Sequence, residues 1–159
     1  MDRLDDTEDA TRRDPLTGLF NRDELERLHL SGTEEPVGVV YFDINDLRNY
    51  GSSRKGEVPF VGDDRTIKDF AKRLLRAALP GTVVVRLESS HFIAVVTGAS
   101  IREATAAQLV AFRQEFTTPS DTNSVTAGVN VGMGTAEVES TTDIYRCMKL
   151  AHDAYYNLN

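Results

Sequence analysis

The sequence predicts an α+β domain with a mainly antiparallel sheet and flanking helices. Two observations predict this class: short apolar runs alternate with helical patterns in the order α-β-α-β-β-α-β-α, and the order contains the β-α-β-β-α-β unit of ferredoxin-like folds. A length of 159 residues with 40% hydrophobic and 27% charged residues is typical of one folded domain. We therefore expect one ferredoxin-like sheet with its helices packed on one side.

Charge and cysteine content exclude several classes of function. The net charge of −7 argues against binding to nucleic acid or to an anionic membrane surface, because both need a basic face. The single Cys147 excludes an intrachain disulfide and a cysteine-based zinc cluster. No apolar run approaches about 18 residues, so direct membrane insertion is not expected. We expect a soluble, cytoplasmic domain.

The N-terminal part of the chain contains a polar lead-in, a helix and a buried strand. Residues 1–13 carry almost no apolar side chains, and we interpret them as a linker to the domain at 14–159. Asn21 followed by Glu24 resembles a capping box and predicts a helix over 22–30. The nearly continuous apolar run at 37–44 predicts a strand that is buried on both faces.

A long connection and a strongly amphipathic helix follow. Residues 49–63 are rich in Gly, Ser and Pro and have no hydrophobic period, which indicates a long loop or a poorly formed helix. The next helix begins near Asp64 and ends before Pro80. Its predicted apolar stripe consists of Ile67, Phe70, Ala71, Leu74, Leu75 and Ala78.

The C-terminal half predicts a hairpin, two helices and a further strand. Apolar runs at 83–87 and 91–96 with a polar tip between them predict a β-hairpin. Ser100 opens the next helix, and the alternating residues 123–133 predict a strand. The last helix is predicted to begin at Thr142. Its apolar stripe consists of Ile144, Cys147, Met148, Ala151, Tyr155 and Leu158.

Two places are candidates for a functional site. Asp43 ends the first strand and is followed by Asn45 and Asp46, which are hard oxygen ligands of the kind that Mg²⁺ prefers. The alternative explanation is that Asp43 only ends a buried strand and Asp46 caps a turn, and composition alone favours this alternative. The second place is the hairpin tip between Glu88 and His91, for which an ordinary polar turn is the alternative.

Residues 14–22 have the sequence Asp14-Pro15-Leu16-Thr17-Gly18-Leu19-Phe20-Asn21-Arg22. This motif resembles the opening motif of the GGDEF domains, the diguanylate cyclase family. Further features in family order are 43–48 at the strand end, Asp64 with 71–74 in the helix, Arg86 and Phe92 around the hairpin, 125–126, and 151–156. The resemblance covers residues 14–159 and implies the palm-type core of nucleotidyl cyclases.

The resemblance also implies an activity and a set of site residues. In active members, two GTP-loaded domains face each other and form cyclic di-GMP, with two divalent ions, Mg²⁺ or Mn²⁺, that stabilise the phosphate charge. Asp43 matches the metal-binding aspartate, and Ile44 matches the residue whose carbonyl assists it. Asp64 matches a guanine contact and is equally suited to cap its helix. The phosphate-binding backbone corresponds to Asp46, Leu47 and Arg48.

The signature hairpin of the family is altered in this chain. Glycines in that hairpin let the backbone approach the nucleotide, and serine adds a Cβ atom in that space. The family's acidic metal ligand is matched by His91, whose imidazole is a poor Mg²⁺ ligand, and the alternative is a hairpin residue that binds nothing. The altered signature reads Glu88-Ser89-Ser90-His91-Phe92.

Other positions depart from the family pattern as well. The guanine-binding Asn falls near Gly51 in a lengthened loop, where Asn49 would substitute only if the loop shifts. Asn159 stands where a phosphate-binding Lys is expected. Leu79 and Thr82 occupy the positions of the Arg and Asp of an inhibitory product site, so we expect no such site.

These departures predict a degenerate, catalytically inactive GGDEF domain that acts as a regulatory, nucleotide-sensing or protein-interaction module. Its candidate partners are GTP or a related guanine nucleotide, another GGDEF or phosphodiesterase domain, a sensor domain, and a second copy of itself. The first alternative is an active diguanylate cyclase with an altered metal site at Asp43 and His91. The second is a scaffold that binds no nucleotide, which the 49–63 loop favours.

Overall fold

A computed structural model describes residues 11–44, 64–88, 90–117 and 133–158. Within these ranges the chain forms four strands and four α-helices. In chain order they are α1 (Arg22–Ser31), β1 (Val37–Asp43), α2 (Asp64–Ala77), β2 (Val83–Glu88), β3 (His91–Thr97), α3 (Ile101–Thr117), β4 (Gly134–Val138) and α4 (Ile144–Leu158). A 3₁₀ turn at Thr141–Asp143 precedes α4. None of these helices is long and apolar enough to cross a membrane.

The four strands form one sheet in the order β2-β3-β1-β4, and every neighbouring pair is antiparallel. This is the ferredoxin-like topology, so the predicted fold class is confirmed. The register pairs Asp43 with His91, and Tyr41 with Gly134. The end of β1, the tip of the β2–β3 hairpin and the start of β4 therefore lie at the same edge of the sheet.

Helices cover both faces of the sheet. Val40 and Phe42 of β1 face the core formed with α2 and α3, whereas Val39 and Tyr41 face the core formed with α1 and α4. All seven residues of β1 are buried. The expectation that all helices pack on one side is therefore wrong. Helices α2 and α3 cover one face and α1 and α4 cover the other, because a strand that is apolar on both faces needs cover on both.

Helix α1 begins where the sequence predicts, with Asn21 as its N-cap, but without the reciprocal bond of a capping box. The Asn21 side chain accepts a hydrogen bond from the Asp23 backbone N–H at 2.8 Å. Glu24 does not return a bond to Asn21, as a capping box requires. Its buried carboxylate instead binds Arg12 at 2.9 Å and Arg27 at 2.6 Å.

The stripe of α2 differs from its prediction at one turn. Leu75 is 53% exposed, whereas Arg73 is buried against Phe116 of α3. The Arg73 Nε atom lies 3.0 Å from the Glu115 carboxylate, which also binds Arg76 at 2.8 Å. Arg73 is therefore satisfied by a charge on α3.

The hairpin and the last two helices are confirmed near their predicted bounds. Strands β2 and β3 pair directly, and the Ala104 N–H donates to the Ser100 carbonyl at the start of α3. Helix α4 begins at Ile144 after the 3₁₀ turn rather than at Thr142. Of the strand predicted at 123–133, only Met133 lies among the described residues; β4 follows it and was not predicted.

Candidate functional site

The motif at residues 14–22 folds into a turn that fixes the edge of β2. The Asp14 carboxylate accepts hydrogen bonds from the Thr17 N–H at 2.9 Å and the Thr17 hydroxyl at 2.7 Å. The backbone of Phe20 bonds to β2 through Val84 O at 3.2 Å and Arg86 N at 2.9 Å. The motif therefore extends the sheet beside the hairpin.

Asp14 is tied to the same strand by charge. Arg86 Nη1 lies 3.1 Å from its carboxylate, and both side chains are largely buried. Burial raises the pKa of Asp14, but the hydrogen bonds from Thr17 and Arg86 outweigh burial and lower its pKa below the usual range. Asp14 is thus an ionised anchor, and the motif supports the hairpin from the side.

Asp43 lies at the centre of the candidate site, at the end of β1, and is 6% exposed. Its Oδ1 atom accepts a hydrogen bond from the Ser90 hydroxyl at 3.1 Å. Its Oδ2 atom accepts one from the Tyr156 hydroxyl, and His91 Nε2 lies 3.2 Å from the same oxygen. The backbone carbonyl of Asp43 accepts from the Tyr155 hydroxyl at 3.2 Å. The hairpin tip and α4 therefore converge on this one residue.

An aromatic cluster surrounds Asp43 on the side of α4. The Tyr41 ring is its centre, and its contacts are His91, His152, Tyr155 and Tyr156, with centroids 5.1 to 6.1 Å away. Burial raises the pKa of Tyr41 far above its usual range, and neighbouring Tyr156 and Asp43 raise it further. Tyr41 is therefore a neutral phenol that lowers the polarity around the carboxylate.

The donor set at Asp43 does not fit a magnesium centre. In the part of the chain that the structure describes, no group of three His, Cys, Asp or Glu side chains is placed to hold a metal ion. Mg²⁺ prefers carboxylate and other oxygen lone pairs in an octahedral arrangement. Asp43 instead meets two hydroxyl groups and an imidazole, so a cation at Oδ2 would compete with Tyr156 and His91.

The structure brings several of the predicted site residues together. Ile44 follows Asp43 and its N–H donates to the Ser90 carbonyl at 3.0 Å, which joins the strand end to the hairpin tip. Phe92 is fully buried in the core. Glu88 is exposed and pairs with Arg22 at 3.1 Å. The hairpin thus contributes Ser90 and His91 to the site, and Glu88 points to a different partner.

The remaining predicted site residues lie apart or outside the described ranges. Asp64 is exposed as the first residue of α2, in agreement with its expected place at the helix start. The residues singled out from the sequence that lie outside the described ranges are Asn45, Asp46, Leu47, Arg48, Asn49, Ser89 and Asn159. Their roles stay predictions.

Leu79 and Thr82, the two positions matched to the inhibitory product site, are both bound by Gln108. This side chain is fully buried, and its carbonyl oxygen accepts from Leu79 N at 2.8 Å and from the Thr82 hydroxyl at 2.7 Å. Its amide nitrogen donates to Ala77 O at 3.0 Å. Gln108 therefore holds the connection between α2 and β2 in place.

Sequence reasoning missed the role of α4 in the site. Tyr155 is recognisable as part of the apolar stripe, but nothing in its spacing indicates that its hydroxyl reaches Asp43. Tyr156 lies beside the stripe and is 40% exposed. The only available signal was two adjacent tyrosines near the end of a helix, which offer one buried and one half-buried hydroxyl.

The antiparallel sheet, its crossover helices and a strand-end aspartate facing a hairpin tip define a nucleotidyl cyclase-like domain. A family model described as "Diguanylate cyclase, GGDEF domain" matches residues 11–159. The chain therefore belongs to the GGDEF family. No curated protein matches the chain.

Solved structures show the same fold. The GGDEF domain of FimX from Pseudomonas aeruginosa is 20% identical with a TM-score of 0.63, covering 92% of this chain and 94% of that one. The GGDEF domain of DgcB from Caulobacter crescentus, in complex with c-di-GMP, is 23% identical with a TM-score of 0.65, covering 92% and 86%. The diguanylate cyclase SiaD from Pseudomonas aeruginosa, in complex with its activator SiaC, is 16% identical with a TM-score of 0.69, covering 97% and 60%.

Proposed function

We propose that this chain is a degenerate GGDEF domain that makes no cyclic di-GMP and acts as a regulatory module in cyclic dinucleotide signalling. The observation that supports this proposal most strongly is the state of Asp43. Its buried carboxylate is engaged by Ser90, His91 and Tyr156. In the family, the matching aspartate holds a metal ion.

The chemistry of the reaction explains why these contacts matter. Charge that develops on the α-phosphate must be stabilised, and divalent ions supply this stabilisation when they are bound. Asp43 brings one carboxylate, and its hairpin neighbours are a hydroxyl and an imidazole. The loss of one stabilising group typically lowers the rate by about 10²–10³. Several losses together are expected to leave no useful turnover.

The retained features support a sensing or docking role. Asp64 remains exposed at the start of α2, where it is available to a guanine base. The candidate ligands are GTP and related guanine nucleotides. Partner candidates are another GGDEF domain, a phosphodiesterase domain, a sensor domain joined through the lead-in at 1–13, and a second copy. The complex of the related SiaD with an activator protein is consistent with such docking. We propose that the domain carries out this sensing or docking role in the cytoplasm and does not bind nucleic acid.

An active diguanylate cyclase is the second candidate, and one distance favours it. His91 Nε2 lies 3.2 Å from Asp43 Oδ2, and the His91 side chain is 32% exposed. An imidazole and a carboxylate at this separation are ligands that Mn²⁺ accepts more readily than Mg²⁺. In this candidate the ion would sit between the two side chains after Tyr156 has moved away.

Calorimetric titration of GTP, first with Mg²⁺ and then with Mn²⁺, tests the sensing role. We expect binding that Asp64→Ala weakens by at least about tenfold, since a lost contact to a charged group removes 1.5–3 kcal/mol. Glu103→Ala is the matched control, because Glu103 is also exposed in the first turn of a helix. Equal weakening by both variants, or no heat with either ion, would overturn the sensing role.

The variant His91→Glu separates the two candidates. It restores an acidic side chain at the position matched to the family's metal ligand. In an inactive domain it is expected to yield no product, because Ser90 and the rest of the hairpin remain altered. Formation of cyclic di-GMP by this variant or by the unmodified chain would favour the cyclase.

A further inference from the structure

Asp43 is joined to two parts of the fold by three side chains that need no metal ion. Ser90 and His91 come from the hairpin, and Tyr156 comes from α4, 113 positions along the chain. We propose that these four residues form a metal-independent clasp that fastens α4 to the edge of the sheet. The Asp43 clasp, as we call it, takes the place of cation binding and in this sense rests on the proposed function.

The burial of Asp43 requires such a clasp. A carboxylate that is removed from water is unfavourable unless hydrogen bonds or charges compensate it. Ser90 is fully buried and donates to one oxygen, while the Tyr156 hydroxyl donates to the other. Bonds to an ionised acceptor are roughly twice as strong as neutral ones. The clasp therefore stabilises the charge that a cation would otherwise balance.

The direction of these bonds opposes cation binding. The Oδ2 atom already has two partners, the Tyr156 hydroxyl and the His91 imidazole, so an ion at this oxygen would compete with both. To bind an ion at Oδ2, the chain would have to turn Tyr156 away and break the link to α4. Cation binding and docking of α4 at this edge therefore compete for the same carboxylate.

The position of α4 holds the tyrosine hydroxyls in place. Tyr155 is buried, and its hydroxyl donates to the Asp43 carbonyl at 3.2 Å. The backbone of α4 also lies directly against Gly134 of β4, through Ala151 and Tyr155. Because the helix is fixed in the turn that precedes Tyr156, its hydroxyl reaches Asp43 with little loss of freedom.

Thermal unfolding of Tyr156→Phe without nucleotide tests the clasp, with Tyr145→Phe as the matched control. Both tyrosines belong to α4, are 40% and 37% exposed, and donate to a carboxylate. The acceptor of Tyr145 is the exposed Glu26, which water can resolvate. We expect Tyr156→Phe to lower Tm by roughly 3–10 °C and Tyr145→Phe by less than about 2 °C. Equal losses in the two variants would overturn the clasp.

Two further measurements test the Asp43 acceptor and the effect of a cation. Tyr156→Phe is expected to change nothing further in an Asp43→Ala background, because the acceptor is already gone. Addition of Mg²⁺ or Mn²⁺ is expected to leave the Tm of the unmodified chain unchanged. A rise in Tm that Asp43→Ala abolishes would overturn the clasp. These readouts need no nucleotide, so the clasp can fail while the domain is inactive. Formation of cyclic di-GMP, in contrast, would refute the proposed function whether or not the clasp exists.

Discussion

Gly134, the first residue of β4, is the position where one added methyl group is expected to do most damage to the site. A Cβ atom there would lie closer than 3.0 Å to the backbone atoms Ala151 O and Tyr155 N, and 2.7 Å from Tyr155 Cβ. Ordinary van der Waals contact begins at about 3.4 Å. All three atoms belong to α4, the helix that carries Tyr156 of the clasp. The substitution Gly134→Ala therefore pushes α4 away from the sheet.

The loss of stability in Gly134→Ala depends on whether the contacted atoms can move away. Added atoms in a packed core typically destabilise by 1–3 kcal/mol, and the high end, about 3 kcal/mol, applies here because the contacted atoms are backbone and Cβ rather than flexible side-chain ends. Alanine also reduces the freedom of the unfolded chain, which returns only about 0.5–1 kcal/mol. The net loss corresponds to a fall in Tm of roughly 4–10 °C.

Gly38→Ala is the comparison for this prediction. A Cβ atom at Gly38 meets the side-chain hydroxyl of Thr105, so Thr105→Ala is expected to recover most of the stability lost by Gly38→Ala. The atoms that oppose Gly134→Ala are backbone atoms of Ala151 and Tyr155 and the Tyr155 Cβ, so Tyr155→Ala removes none of them. Thermal unfolding followed by circular dichroism measures both series. A Tm for Gly134→Ala within 1 °C of the unmodified chain would refute the close packing of α4 on β4.

Two further predictions concern groups away from the clasp. Burial raises the pKa of Cys147 to about 12, so this fully buried thiol is expected to react with a thiol reagent at least about 100-fold more slowly in the folded chain than in urea. Equal rates would contradict its burial. The lowered pKa of Asp14 means that its contribution to stability is present above about pH 4 and is lost as the pH falls through the folded-state pKa. Arg86→Gln is expected to flatten this acid-side loss in denaturant titrations at about pH 5 and 3, and an unchanged slope would exclude the pair as its source.

The elements that the sequence predicted well are those with strong local signals. The run at 37–44 is apolar without interruption, and β1 is buried along its whole length. The polar tip between two apolar runs predicted the hairpin, and the cap at Asn21 predicted the start of α1. In each case the residues that decide the structure are neighbours in the chain.

The elements that it predicted poorly depend on distant partners. Helical spacing placed Leu75 in the stripe of α2, but Arg73 is buried because Glu115 of α3 offers it a charge. The cover of the second sheet face by α1 and α4 follows from packing between segments far apart in sequence. Local periodicity contains no information on either contact.

The candidate site was predicted in part. The register of β1 and β3 brings Asp43 and His91 together, as the family resemblance implied. The contact with Tyr156 could not be foreseen, because it joins positions 113 residues apart and depends on how α4 docks. The strand end was therefore predictable, whereas the engagement of its carboxylate required the structure.

Product formation is the most direct test of whether this domain has diguanylate cyclase activity. The chain is incubated with GTP and either Mg²⁺ or Mn²⁺, and cyclic di-GMP is quantified by mass spectrometry beside an active GGDEF enzyme under identical conditions. We expect no cyclic di-GMP above the level found with Asp43→Ala. Repeated turnover by the unmodified chain that disappears in Asp43→Ala would show that the domain is an active cyclase and identify Asp43 as a functioning metal ligand.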